Sequence, residues 1–198
     1  MTDSPKPVAH RPGGRTARVR AQVLDATVLL VARHGITGFS YEEVADLAGV
    51  HKMTVYRNWP DRDRLVSEAI MGMADETVPL EDTGDLRRDL TDFLVALATV
   101  LASPTGRALT QAIQAAHDNP DVRHTVDLVA TQRLALLQDR TTSATERGEL
   151  PRVDPRFLAD LLAGPVHLHL TRQPDPFTRE DAERIVDVVL AGIRATVR

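Results

Sequence analysis

Residues 40–59, SYEEVADLAGVHKMTVYRNW, leave this chain little choice of local structure. Ser40 followed three residues later by Glu43 is the pattern of a capping box. In it, each side chain satisfies a backbone N–H that a helix N-terminus leaves without a partner. Val44, Ala45, Leu47 and Ala48 give the predicted short helix an apolar face, and Gly49 ends it. A second short helix is predicted from His51 to Asn58, stopped by Trp59-Pro60. Gly49 permits the left-handed backbone that a tight turn needs. Ala45 and Val50 are compact where the two helices must cross, and Val55 faces back into the same small core. This is the spacing of a helix-turn-helix.

The helical period continues on both sides of that motif. Val19, Val23, Ala26 and Leu30 recur at steps of three and four before Gly35, and Asp61 opens a helix carrying Leu65, Val66, Ala69, Ile70 and Met73. Leu86 to Leu101 forms another amphipathic run, broken by Ser103-Pro104, and a further one covers 109–116. A long helix is expected over 121–146, one from Pro155, and a last one opened by Thr178-x-x-Asp181. Nine helices are expected, and no stretch alternates with the period of two that a strand shows. The chain therefore reads as all-α. Its expected parts are a disordered basic arm over 1–14, a helix-turn-helix domain over 15–75, and a larger helical domain over 76–198.

Composition removes several classes of function. Without cysteine there is no disulfide framework, thiolate metal site or Cys nucleophile. Apolar runs such as Val28 to Ala32 are far shorter than the roughly 18 residues of a membrane span. The basic N-terminus lacks the apolar stretch of a secretory signal, so a cytoplasmic protein without membrane contact is expected. The net charge of -4 hides an asymmetry: residues 1–70 carry ten basic against eight acidic residues, and 71–198 carry fourteen against twenty. A basic head on an acidic body suits contact with nucleic acid at the head.

The second helix of the motif carries that contact. It presents His51, Lys52, Thr54, Tyr56 and Arg57 outward, donors for phosphates and base edges with no acid among them, and its N-terminal end is free to enter a major groove. Lys52, Tyr56 and Arg62 are expected at phosphates, and Thr54 and Arg57 near base edges. A helical hairpin that binds another protein instead of DNA is the alternative. An enzyme is disfavoured, because no nucleophile–base constellation, metal-ligand spacing or phosphate loop stands out. His167 and His169, two apart on a helix, point in different directions, and neither they nor His117 and His124 form a metal site. No metal or other cofactor is expected.

Residues 15–70 resemble the N-terminal domain of TetR-family transcriptional regulators. The resemblance rests on Ala26 to Gly38 (ATVLLVARHGITG), Tyr41 to Gly49 (YEEVADLAG), Val50 to Tyr56, and Trp59 with Asp61 to Leu65. The chain departs from the usual pattern at Tyr41, commonly Thr; at His51, commonly Ser; and at Met53, commonly a small residue. These departures leave the implied fold intact. The resemblance implies a homodimer whose two heads read the half-sites of a pseudo-palindromic double-stranded DNA operator. It also implies a small-molecule effector in the C-terminal domain that releases the DNA, which makes the chain a repressor. The DNA-contacting residues are then Ser40, Tyr41, His51, Lys52, Thr54, Tyr56, Arg57 and Arg62. An apolar effector cavity is expected between the helices of 84–171, with Phe93, Gln114, His117 and His167 as lining candidates chosen for central position and chemistry. Dimerisation is expected through 157–197, with Ile185, Val189 and Ile193 as the apolar face of the last helix.

Overall fold

A computed structural model describes residues 14–115 and 118–196 of the chain. Among them are nine α-helices and no strand: α1 (Gly14–His34), α2 (Tyr41–Ala48), α3 (Lys52–Asn58), α4 (Arg62–Thr77), α5 (Leu86–Ala102), α6 (Pro104–Ala115), α7 (Pro120–Glu146), α8 (Pro155–Arg172) and α9 (Arg179–Thr196). The all-α expectation holds. Of the expected arm, only Gly14 falls within the described residues, where it opens α1.

The capping box forms as the sequence dictates. Ser40 Oγ accepts from the Glu43 N–H at 3.2 Å, and a Glu43 carboxylate oxygen accepts from the Ser40 N–H at 2.7 Å. Gly49 turns the chain at φ +65°, and the Val50 N–H reaches back to the Ala45 carbonyl at 2.9 Å. His51 stands outside α3 as its N-cap, its Nδ1 accepting from the Met53 N–H at 3.2 Å. The start of α6 corrects the sequence reading. Ser103-Pro104 does not separate helices by a loop running to 109; Pro104 is itself the first residue of α6, where its missing N–H costs nothing.

Two apolar cores result. Val23, Val31, Val44, Val55, Trp59 and Leu65 close the head formed by α1 to α4, and Leu109 of α6 and Val122 of α7 join that cluster from the body. Leu90, Leu94, Leu158, Leu162, Val186 and Leu190 form the second core, between α5, α8 and α9. Head and body meet where α6 packs on α1 and where α4 packs on α7 and α5.

Beneath the second core lies a buried ion pair. Arg140 of α7 is 2.7 Å from the Asp89 carboxylate of α5, which also accepts from the Thr83 N–H, and Asp82 and Glu149 are each 3.5 Å away. A charge so enclosed is tolerable because its neighbours are opposite and hydrogen-bonded. No single described helix is long and apolar enough to cross a membrane.

Candidate nucleic-acid interface

Val55 and Trp59 are the anchors of α3, both buried in the head core. The Trp59 indole N–H donates to Glu68 of α4 at 2.8 Å, while Arg20 of α1 pairs with the same carboxylate and lies 5.2 Å over the indole. Two helices, α1 and α4, thus hold the end of α3, and its opposite face is left to solvent. That face carries Lys52, Met53, Tyr56 and Arg57 exposed, Thr54 half-buried, and the exposed cap His51 beside them. A helix of this size with basic and hydroxyl donors on its free side fits a major groove.

Three of the expected contact residues are engaged within the head. Tyr41 is only 7 % exposed: its ring packs against that of Tyr56 with centroids 4.8 Å apart, and its hydroxyl has no partner in the described structure. Burial, with Asp61 nearby, pushes that phenol above its ordinary pKa. Tyr41 therefore backs Tyr56 instead of facing outward, because the first turn of α2 points it into the head. Arg62 donates to the Thr37 carbonyl at 2.9 Å and covers the Phe39 ring at 5.2 Å, so it ties α4 to the α1–α2 connection. Ser40 is consumed by its capping box, whose bonds hold the Glu43 carboxyl below the usual range.

An acid also adjoins the recognition face, although none lies within α3. Glu42 of α2 accepts from the Tyr56 hydroxyl at 3.3 Å and stands 3.9 Å from the Lys52 ammonium. Sequence reasoning missed Glu42, Arg20 and Glu68, since each acts across helices and leaves no local signal. Met53, 60 % exposed on the same face, is legible only as a departure from pattern.

In the body a cavity of about 700 Å³ opens between α4, α5, α6, α7 and α8. Ile70 and Met73 of α4, Leu97 of α5, Leu109 of α6 and Leu137 of α7 make its walls mainly apolar. Phe93 and His167 line it, and burial alone lowers the His167 pKa. Gln114 does not: the neighbouring Ile113 takes the inward position, and one step around α6 leaves Gln114 on the exposed side. His117 lies outside the described residues. Arg133, absent from the expected set, is also in the wall. Among the described residues no group of acids and histidines could hold a metal ion.

The outer face of α8 and α9 differs from expectation as well. Ile193 is buried at 5 % exposure, and Ile185 and Val189 pack against the chain's own core. The apolar residues left outside are Phe157 and Leu168 of α8 and Val188 of α9, the last 68 % exposed.

Comparison with known proteins covers both halves. Residues 23–69 match the family described as bacterial regulatory proteins, tetR family, and residues 80–189 match the tetracyclin repressor-like C-terminal domain. The HTH-type transcriptional regulator AqdR of Rhodococcus erythropolis is 31% identical over 193 residues, covering 97% of this chain and 93% of that protein. The HTH-type transcriptional repressor KstR2 of Rhodococcus jostii is 27% identical, covering 71% of this chain and 66% of its own. The crystal structure of the TetR-family transcription regulator SCO0332 superposes with a TM-score of 0.69 at 34% identity, over 89% of this chain and 98% of that one.

Proposed function

The chain belongs to the TetR family of helix-turn-helix transcriptional regulators, which bind DNA and are not enzymes, and from that premise we propose a repressor that an effector releases from a palindromic operator. The observation that carries the reading is the position of α4. Its middle holds the recognition helix through Glu68 and Trp59, and its C-terminal half walls the body cavity with Ile70 and Met73. An occupant that prefers a different setting of α4 shifts the population toward heads that no longer fit successive grooves.

The working parts we assign are an arm and head over 1–75 and a regulatory and dimerising body over 76–198. Within the head, Lys52 and Tyr56 serve phosphates, Thr54 and Arg57 serve base edges, and His51 holds the groove-entering end of α3. Ser40, Tyr41 and Arg62 orient that helix. Two copies meet through α8 and α9, where Phe157, Leu168 and Val188 supply apolar surface. A single half-site contact is too weak to specify an operator among genomic competitors, which favours the dimer. The place of action we infer is the cytoplasm, where the bacterial chromosome lies.

Selection of bound fragments from random DNA tests this. The expected result is an enriched palindromic motif whose binding weakens steeply with salt. Failure to enrich any sequence overturns operator recognition and favours a protein-binding helical module.

A further inference from the structure

Among the described residues, Arg133 stands alone of the cavity-lining charges in being largely enclosed. Its side chain is 19 % exposed, whereas Asp127, Arg156 and Asp160 sit at exposed positions on the rim. Its contacts reach in two directions. Toward the cavity, its guanidinium carbon lies 5.7 Å from the centre of the Phe93 ring. Toward the head, one nitrogen donates to Asp75 at 3.1 Å and another to the Val78 carbonyl at 2.6 Å. Asp75 is in the last turn of α4 and Val78 is its C-cap. A single side chain therefore joins the cavity wall to the end of the helix whose middle holds Trp59.

We propose that Arg133 is the effector sensor, and that the effector is an apolar molecule carrying one anionic, carboxylate-like group. This rests on the reading of the cavity as the effector site and adds the chemistry of its occupant. The Asp75 side chain is 55 % exposed, so water can take it back when it loses its partner. Arg133 is not so placed, and it needs an anion wherever it points. A ligand carboxylate meets that need from the cavity side and exchanges for Asp75 without leaving a buried charge unpaired. The exchange removes both bonds that pin the end of α4. A neutral ligand fills the same space but has no means of opening that latch, and a cation is repelled by it.

Calorimetric titration of the full chain with decanoate, 1-decanol and decylamine, with the emission of Trp59, its one tryptophan, read alongside, tests the proposal. Decanoate is expected to bind about tenfold more tightly than decanol, the scale of one charge-assisted hydrogen bond, with decylamine weakest. It alone should change the Trp59 emission strongly. Arg133→Gln should bring decanoate down to the level of decanol. Asp75→Asn removes the competing carboxylate, so it should tighten decanoate severalfold and leave decanol unchanged. If Arg133→Gln does not fold, Asp75→Asn decides alone, and unchanged decanoate affinity in it overturns the sensor. Equal affinity of the wild-type chain for decanoate and decanol overturns the anion assignment while the cavity reading stands. Absence of binding by all three probes overturns both.

Discussion

Glu42 is an unexpected neighbour for a surface proposed to meet phosphates. It occupies the Tyr56 hydroxyl and stands beside Lys52, so two donors of the recognition face have an acceptor before any DNA arrives. Glu42→Gln should therefore tighten binding to all sequences alike, by about 1 kcal/mol or less for so exposed a pair, and steepen the salt dependence. Fluorescence anisotropy at several salt concentrations reads both effects. Arg57 is different in kind. It is exposed on α3 and makes no ion pair among the described residues, and Arg is suited to bidentate contact with guanine. Arg57→Ala should cost roughly 1–3 kcal/mol and relax preference at one position per half-site, measured by repeating the random-DNA selection with the variant. Unchanged affinity and preference would remove Arg57 from the base-reading set. At this scale the sequence named the outward residues of α3 well, because a short helix anchored at Val55 and Trp59 has one free side. It did not foresee that Tyr41 and Arg62 fold back on partners that only the packed head supplies.

Helix ends were the most legible feature at the scale of elements. The Ser40–Glu43 box and the Thr178–Asp181 pair both form, since capping is a contest between backbone groups a few residues apart. Gly49 makes a local demand of a purely conformational kind. Its φ of +65° is strained for a residue with a Cβ, yet no atom lies within 4 Å of where that Cβ would stand. Gly49→Ala should then destabilise the head by about 1–2 kcal/mol through backbone strain alone. Asn, which tolerates this conformation, should recover part of the loss in urea unfolding. A steric clash would instead make both substitutions equally harmful. The start of α6 escaped the sequence reading because proline both breaks helices and begins them, and the surrounding fold selects between the two.

At the scale of the whole molecule, the proposed dimer and the response to acid are both open to test. Val188→Asp should yield a folded monomer in sedimentation, because that side chain projects from the chain. Ile193→Asp should unfold the body instead, since it places a charge in the chain's own core. Folded dimers of Val188→Asp at unchanged concentration dependence would point to another surface. On acidification, Asp82 contributes stability that is present above its ordinary value of 3.8 and lost as pH falls through its folded value of about 2, where Arg147 holds it. Arg87 depresses Asp187, and Thr178 depresses Asp181, with the same sign. His167, held below 6.5 by burial, adds an earlier loss, because below that pH the unfolded chain binds its proton more readily. Thermal melting from pH 8 downward should thus show a shallow decline under 6.5 and a steeper one under 4. What the sequence by itself determined is the all-helical class, the helix-turn-helix and its exposed donors, because period, caps and a turn glycine act over a few residues. Only the tertiary structure decided that Ile193 faces inward and Val188 outward, that Gln114 misses the cavity, and that Arg133 spans from Phe93 to the end of α4. Those outcomes depend on which helices become neighbours, and a helix's period specifies an apolar face without naming what will cover it.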